Sequence, residues 1–171
     1  MRLCIDLNVW CAAILAERAG RVNTAAQTIV DAARIPPGRA PMQLVVSWGM
    51  LQRLDEVLER ALDFAPEYAS ALTDAIAGYA QFGPSLTLGG VGVLPIHDPE
   101  DRHVLETAWA GDAAVLVTAD FTGFLGADAE VLIEGRLAIL RRGAKALHVI
   151  HPFPFAAWLR GEAVEGFDPL T

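Results

Sequence analysis

Three aspartates, Asp6, Asp101 and Asp120, hold the chemistry that this sequence can do. Asp6 ends the short apolar run Leu3-Cys4-Ile5, and Asp120 follows the longer run Ala113-Ala114-Val115-Leu116-Val117-Thr118-Ala119. Continuous apolar runs of this kind suit central strands of a parallel sheet, covered on both faces. Ligands of open α/β sheets bind beyond the carboxyl ends of such strands. Asp101 belongs to a helix start, Asp98-Pro99-Glu100-Asp101, where Asp98 can cap, Pro99 fits the first turn and acids complement the helix dipole. It shares the apolar stripe of Val104, Leu105 and Ala108, so it should point at whatever that stripe packs against. Gathered in one crevice, three carboxylates repel and raise one another's pKa unless a cation neutralises them. Hard oxygen ligands select Mg²⁺ or Mn²⁺, which keep waters and meet substrate phosphates. Such ions activate an attacking water and stabilise a leaving oxygen, and the reaction this suits is phosphodiester hydrolysis. Taken alone, Asp6 or Asn8 would simply cap the helix that follows.

The elements that must position these groups alternate in the manner of a βαβ fold. A strand at residues 1–6 precedes a helix over 9–18, and Asn23 is placed to cap a second helix ending near Arg34. Residues 35–41, with three prolines, form a loop. Gln43 to Ser47 is strand-like, with Ser47 capping a helix through Leu62, and Pro66 opens another through Tyr79. Further strands are expected at Val91–Ile96, Ala113–Thr118, Glu130–Ile133 and Ala146–Ile150, and a last short helix at Phe155–Arg160. The fold class is a three-layer α/β/α sandwich around a central, mostly parallel sheet, a single domain over residues 1–171.

Composition narrows the function classes. Hydrophobic residues make up 53% and charged residues 20%, which places the chain among well-buried globular folds rather than disordered ones. A net charge of −8 argues against broad coating of nucleic acid, though not against a local metal-bridged phosphate site. Arg141, Arg142 and Lys145 are the one dense basic cluster and read as a solvated turn. Cys4 and Cys11 read as buried thiols, the four histidines have no metal-ligand spacing, and no serine sits in a G-x-S-x-G elbow. Gly89-Gly90-Val91-Gly92 lacks the spacing of a nucleotide loop. A phosphotransfer or dehalogenase-like site would want a second acid where Asn8 stands. No run is long and apolar enough to span a membrane, and a cytoplasmic protein is expected.

With Asp6-Leu7-Asn8-Val9, Ser47 ahead of Leu51, Leu54, Val57-Leu58 and Arg60, Asp98-Pro99-Glu100-Asp101, Leu116 to Asp120, and Ile150-His151-Pro152, the sequence resembles the PIN-domain ribonucleases. The likeness is greatest to the toxin components of toxin–antitoxin systems. It implies a Mg²⁺- or Mn²⁺-dependent RNase with an RNA substrate and a cognate antitoxin protein. By it, Asp6, Asp101 and Asp120 are metal ligands, Asn8 and Thr118 support them, and Asp98 stands just outside. Two positions depart from the pattern: Arg53 occupies the place of a usual glutamate, and Thr122 that of a frequent second acid after Asp120. Arg53 flanks the apolar face centred on Leu54, an angle from which it could reach the crevice, whereas Glu56 lies nearly opposite the core and should be solvated, pairing with Arg53 or Arg60. The departure at Arg53 supports an alternative, a PIN-fold RNA- or partner-binding protein with weakened catalysis. A homodimer is compatible with the apolar composition.

Overall fold

Apolar runs too short for helices pair into one six-stranded sheet, ordered β2-β1-β3-β6-β5-β4. The computed structural model describes residues 1–34, 42–80, 99–121 and 129–169, with residues 99–101 as backbone only. Strand β1 (Arg2–Ile5) is central, parallel to both β2 (Gln43–Val45) and β3 (Val115–Val117). Strand β6 (Lys145–Ile150) extends the parallel set beside β3, and β5 (Leu137–Arg142) and β4 (Ala129–Ile133) continue it antiparallel. Leu3, Cys4, Ile5, Leu44, Val45, Val115, Leu116 and Val117 are essentially inaccessible, as strands covered on both faces must be.

Helices α1 (Leu7–Arg18), α2 (Ala25–Arg34) and α6 (Pro152–Leu159) contact one another, while α3 (Trp48–Arg60) contacts α4 (Pro66–Tyr79) and α5 (Pro99–Ala110). Because β1-to-β2 and β2-to-β3 cross the sheet in opposite directions, right-handed connections put these two groups on opposite faces. The result is the three-layer sandwich expected. Helix α5 lies against β1 and β3 through buried Val104, Leu105 and Ala108. It returns to β3 through Gly111 and Asp112, so it runs against the strand direction and starts at the carboxyl edge of the sheet.

Several expectations need correction. Asn23 does not cap α2; it takes a positive φ of 58°, and Thr24 and Gln27 form a reciprocal capping box instead. Strand β5 is an addition to the expected strands, and the basic cluster is exposed around the turn that joins it to β6, a solvated turn as expected. Gly143, with φ of 60°, supplies the left-handed residue of that two-residue turn. Helix α6 starts three residues earlier than expected, capped by His151. Cys4 is buried but Cys11 only partly so, and both are free thiols. The strand expected at Val91–Ile96 and the position of Thr122 lie outside the described residues.

Candidate metal and phosphodiester site

Because β2, β1, β3 and β6 run parallel, the residues that follow them emerge at one edge: Ser47, Asp6, Thr118 to Asp120, and His151. The backbone ties this edge together, with Asp6 N–H donating to Val117 O at 2.9 Å and Thr118 N–H to Ile150 O at 3.1 Å. Asp6 is both the cap of α1 and the centre of a polar cluster. Its Oδ1 accepts from Leu7 N–H at 2.6 Å. Its Oδ2 accepts from Asn8 Nδ2 and from Thr118 Oγ1, each at 2.6 Å.

Asn8 and Thr118 are themselves held. Asn8 Oδ1 accepts from Ala119 N–H at 3.1 Å, which fixes the amide so that Nδ2 faces Asp6 Oδ2 and Thr118 Oγ1. Thr118 Oγ1 gives its proton to Asp6 and accepts from Asn8 at 3.2 Å and from Asp120 N–H at 3.0 Å. Two residues 112 positions apart in sequence are thus locked side by side. Oδ2 of Asp6 uses both lone pairs, whereas Oδ1 keeps one.

The cluster has many donors and still a surplus of negative charge. Burial pushes the Asp6 carboxyl above its ordinary range, against the pull of Thr118, Leu7 and Asn8, and the negative charge of Asp120 pushes the same way. A buried carboxylate that repels a second one is the environment a cation relieves. The oxygen-only donor set, with the open lone pair on Asp6 Oδ1, fits a hard divalent ion. Among the described residues no group of three acidic, His or Cys side chains forms a complete ligand set. Asp98 lies outside the described residues, and Asp101 is described as backbone in the first turn of α5, at this same edge.

A second polar cluster neighbours the first, and sequence reasoning missed it. Ser47, fully buried, caps α3 by accepting from Met50 N–H at 3.2 Å. Its Oγ lies 3.0 Å from His103 Nε2 and 3.1 Å from Thr107 Oγ1. Thr107 also donates to the His103 carbonyl at 2.8 Å. His103 fits because position 49 is glycine: a Cβ there would stand 2.5 Å from Nε2. These bonds fasten the start of α3 to the second and third turns of α5. With Ser47 and His103 56 positions apart, no spacing rule signals their contact. Arg53, on α3, pairs with Glu56 at 3.2 Å across one helical turn, and both are partly exposed.

A family model described as PIN domain matches residues 2–122, a span holding β1 to β3 and every residue of both clusters. No curated protein and no solved structure matches the chain.

Proposed function

The chain belongs to the PIN-domain family, whose fold is of nuclease type, and on that premise we propose that it is a metal-dependent endoribonuclease that hydrolyses RNA phosphodiesters. The single observation that carries this reading is the pairing of Asp6 and Asp120 at the tips of adjacent parallel strands, where each acidic group raises the need for a cation. Asp6, Asp120 and Asp101 would hold Mg²⁺ or Mn²⁺, which supplies a lowered water pKa and charge neutralisation on the phosphate. The protein's own contribution is orientation. Asn8 and Thr118 both hold Asp6 Oδ2, leaving Oδ1 with only the bond from Leu7 N–H, and the Thr118 hydroxyl holds the Asp120 backbone in register with it. No nucleophilic side chain is needed, because the attacking group would be water, and its proton would pass to solvent once a bound ion lowers its pKa.

In the toxin form of this reading a cognate antitoxin protein restrains the enzyme, the substrate is cytoplasmic RNA, and the 171 residues act as one domain, alone or as a homodimer. Among the described residues no helix is long and apolar enough to cross a membrane. RNA cleavage should stop with EDTA and return with Mn²⁺, and should be lost in Asp120→Ala. Activity that survives both treatments would reject the proposal. A second reading, a binding protein with weakened catalysis, is favoured by Arg53, a cation at the place of a usual acid. Parental metal affinity with no turnover on any RNA would select it.

A further inference from the structure

A cleft of about 730 Å³ opens between α1, α2 and the start of α6, and its lining includes Asn8 and Ala119. These are the residues that brace Asp6 and precede Asp120, so the cleft begins where the acidic pair ends. Its walls are small and apolar, among them Val9, Ala12 and Ala25. At its rim Phe153 is 64% exposed, an unusual position for a phenylalanine, with its ring tilted 34° against His151 at 5.1 Å. Charge distinguishes this cleft further. The chain carries −8 overall, yet among the described residues no carboxylate lines it. Its ionic group is Arg21, which has no carboxylate partner among the described residues and stands between this cleft and a neighbouring one that also holds Arg34. Two other clefts are lined by acids, Glu17 and Asp31 in one, Asp55 and Asp74 in the other.

We propose that this cleft is a base-stacking subsite, taking a nucleobase of a single-stranded RNA on Phe153 while a neighbouring phosphate meets Arg21. The inference rests on the nuclease reading and adds to it which part of the strand is gripped. An apolar wall with one exposed aromatic ring and one cation is the combination that holds unpaired bases, because every base has a π-face and every link a negative charge. His151 suits the role of a neutral rim group. Its Nδ1 accepts from Phe153 N–H at 3.3 Å, so the neutral ring carries its proton on Nε2, facing away from the backbone. Burial, with Arg136 nearby, holds its pKa below the usual histidine value and keeps the ring uncharged at neutral pH. Such a grip reads stacking rather than sequence, so it biases the enzyme toward unpaired strands of mixed composition.

The test uses the full chain in EDTA, which stops hydrolysis, and the anisotropy of a fluorescein-labelled short single-stranded RNA. Phe153→Ala should weaken binding about ten-fold, the usual scale of one base–aromatic stack, and Phe153→Trp should restore it. An abasic ribose, moved along the RNA, should cost the parent the same factor at one position and cost Phe153→Ala nothing there. Arg21→Glu should weaken binding and flatten its salt dependence. Parental affinity in Phe153→Ala, or abasic penalties equal in both proteins, would overturn the proposal. So would concentration-dependent self-association that Phe153→Ala abolishes without touching RNA affinity, which would assign the cleft to a second copy of the chain. Mn²⁺ titration separates the two readings. Mn²⁺ bound through Asp6 alongside an indifferent Phe153 rejects the subsite alone, whereas no Mn²⁺ binding with RNA lost in Phe153→Ala rejects the nuclease alone.

Discussion

Two polar clusters stand side by side at the carboxyl edge of the sheet, built from similar parts to different ends. Each has a helix cap directly after a strand, a threonine hydroxyl, and a partner far away in sequence. Around Ser47 the groups that meet are hydroxyls, a backbone N–H and an imidazole nitrogen. Around Asp6 the donors are just as close, but burial and the second acid, Asp120, leave charge unbalanced. Buried polar groups that satisfy one another rigidify a fold, whereas a buried like-charge pair is costly unless something outside the chain completes it. The difference fits the Ser47 cluster to fastening two helices and, on the nuclease reading proposed above, the Asp6 cluster to receiving a cation.

The largest test of that division is direct removal of charge. Asp6→Asn and Asp120→Asn should each lower Mn²⁺ affinity at least about 100-fold by calorimetry, beyond the 10- to 100-fold typical of groups that only support a ligand. If both bind like the parent, the receptor half of the comparison fails. Thr118→Val should come next. It takes one donor from Asp6 and an acceptor from Asn8 and Asp120, at a cost of about 1–3 kcal/mol in chemical denaturation, and it should weaken Mn²⁺ as well. Ser47→Ala should cost about 0.5–2 kcal/mol through the lost cap, with a smaller effect on Mn²⁺ than Thr118→Val. Equal effects on metal from the two variants would erase the distinction.

Acidity gives a subtler contrast. The Asp6 carboxyl binds its proton more tightly in the folded protein than an ordinary aspartate does, with its usual 3.8. Folding therefore takes up a proton between 3.8 and the raised value. Asp6 contributes stability below that window and loses it as pH rises through it. Stability of the metal-free protein should accordingly decline across this window, and Asp6→Asn should flatten the slope in urea titrations. A parental slope in that variant would mean another group sets it. The smallest effect is expected at Arg53. Arg53→Glu replaces its ion pair with Glu56 by like charges one turn apart, for a few tenths of a kcal/mol. A gain in Mn²⁺ affinity in the same variant would show that the site lacks an acid there, and unchanged affinity would show that Arg53 acts elsewhere.

How much of this could be read beforehand depends on the range of the signal. Asp6 and Asp120 were legible because each follows an unbroken apolar run, and helix α4 because Pro66 marks its first turn unambiguously. Ser47 was legible as a cap, but not its bond to His103, since contacts across 56 residues leave no local trace. Asn23 misled because asparagine tolerates both the cap and the left-handed conformation, and only the Thr24–Gln27 spacing decides between them. In β5 the basic ending, Arg141-Arg142, hid the apolar run Leu137-Ala138-Ile139-Leu140 beside a two-residue glycine turn. Phe153 had no signal at all, because exposure of an aromatic residue depends on what the fold leaves uncovered.

The order of strands has a consequence for how the chain comes to be active. Strand β1 lies inside the sheet, one strand from its edge, and its neighbours follow at residues 43 and 115. The β5–β6 hairpin closes over a two-residue turn and can form early, but β1 must wait for β3, and such distant pairings make folding slow. Asp6 therefore spends most of synthesis as an ordinary solvated acid, with its ordinary affinity for protons. Asp120, the Thr118 hydroxyl and the Ala119 N–H that holds Asn8 reach it together, when Leu3, Cys4 and Ile5 find Val115, Leu116 and Val117. A ribosome-bound fragment that stops short of residue 115 can hold every helix cap of the first half and still have no centre. Until β3 is in place, the chain has neither the second acid nor the hydroxyl that braces the first.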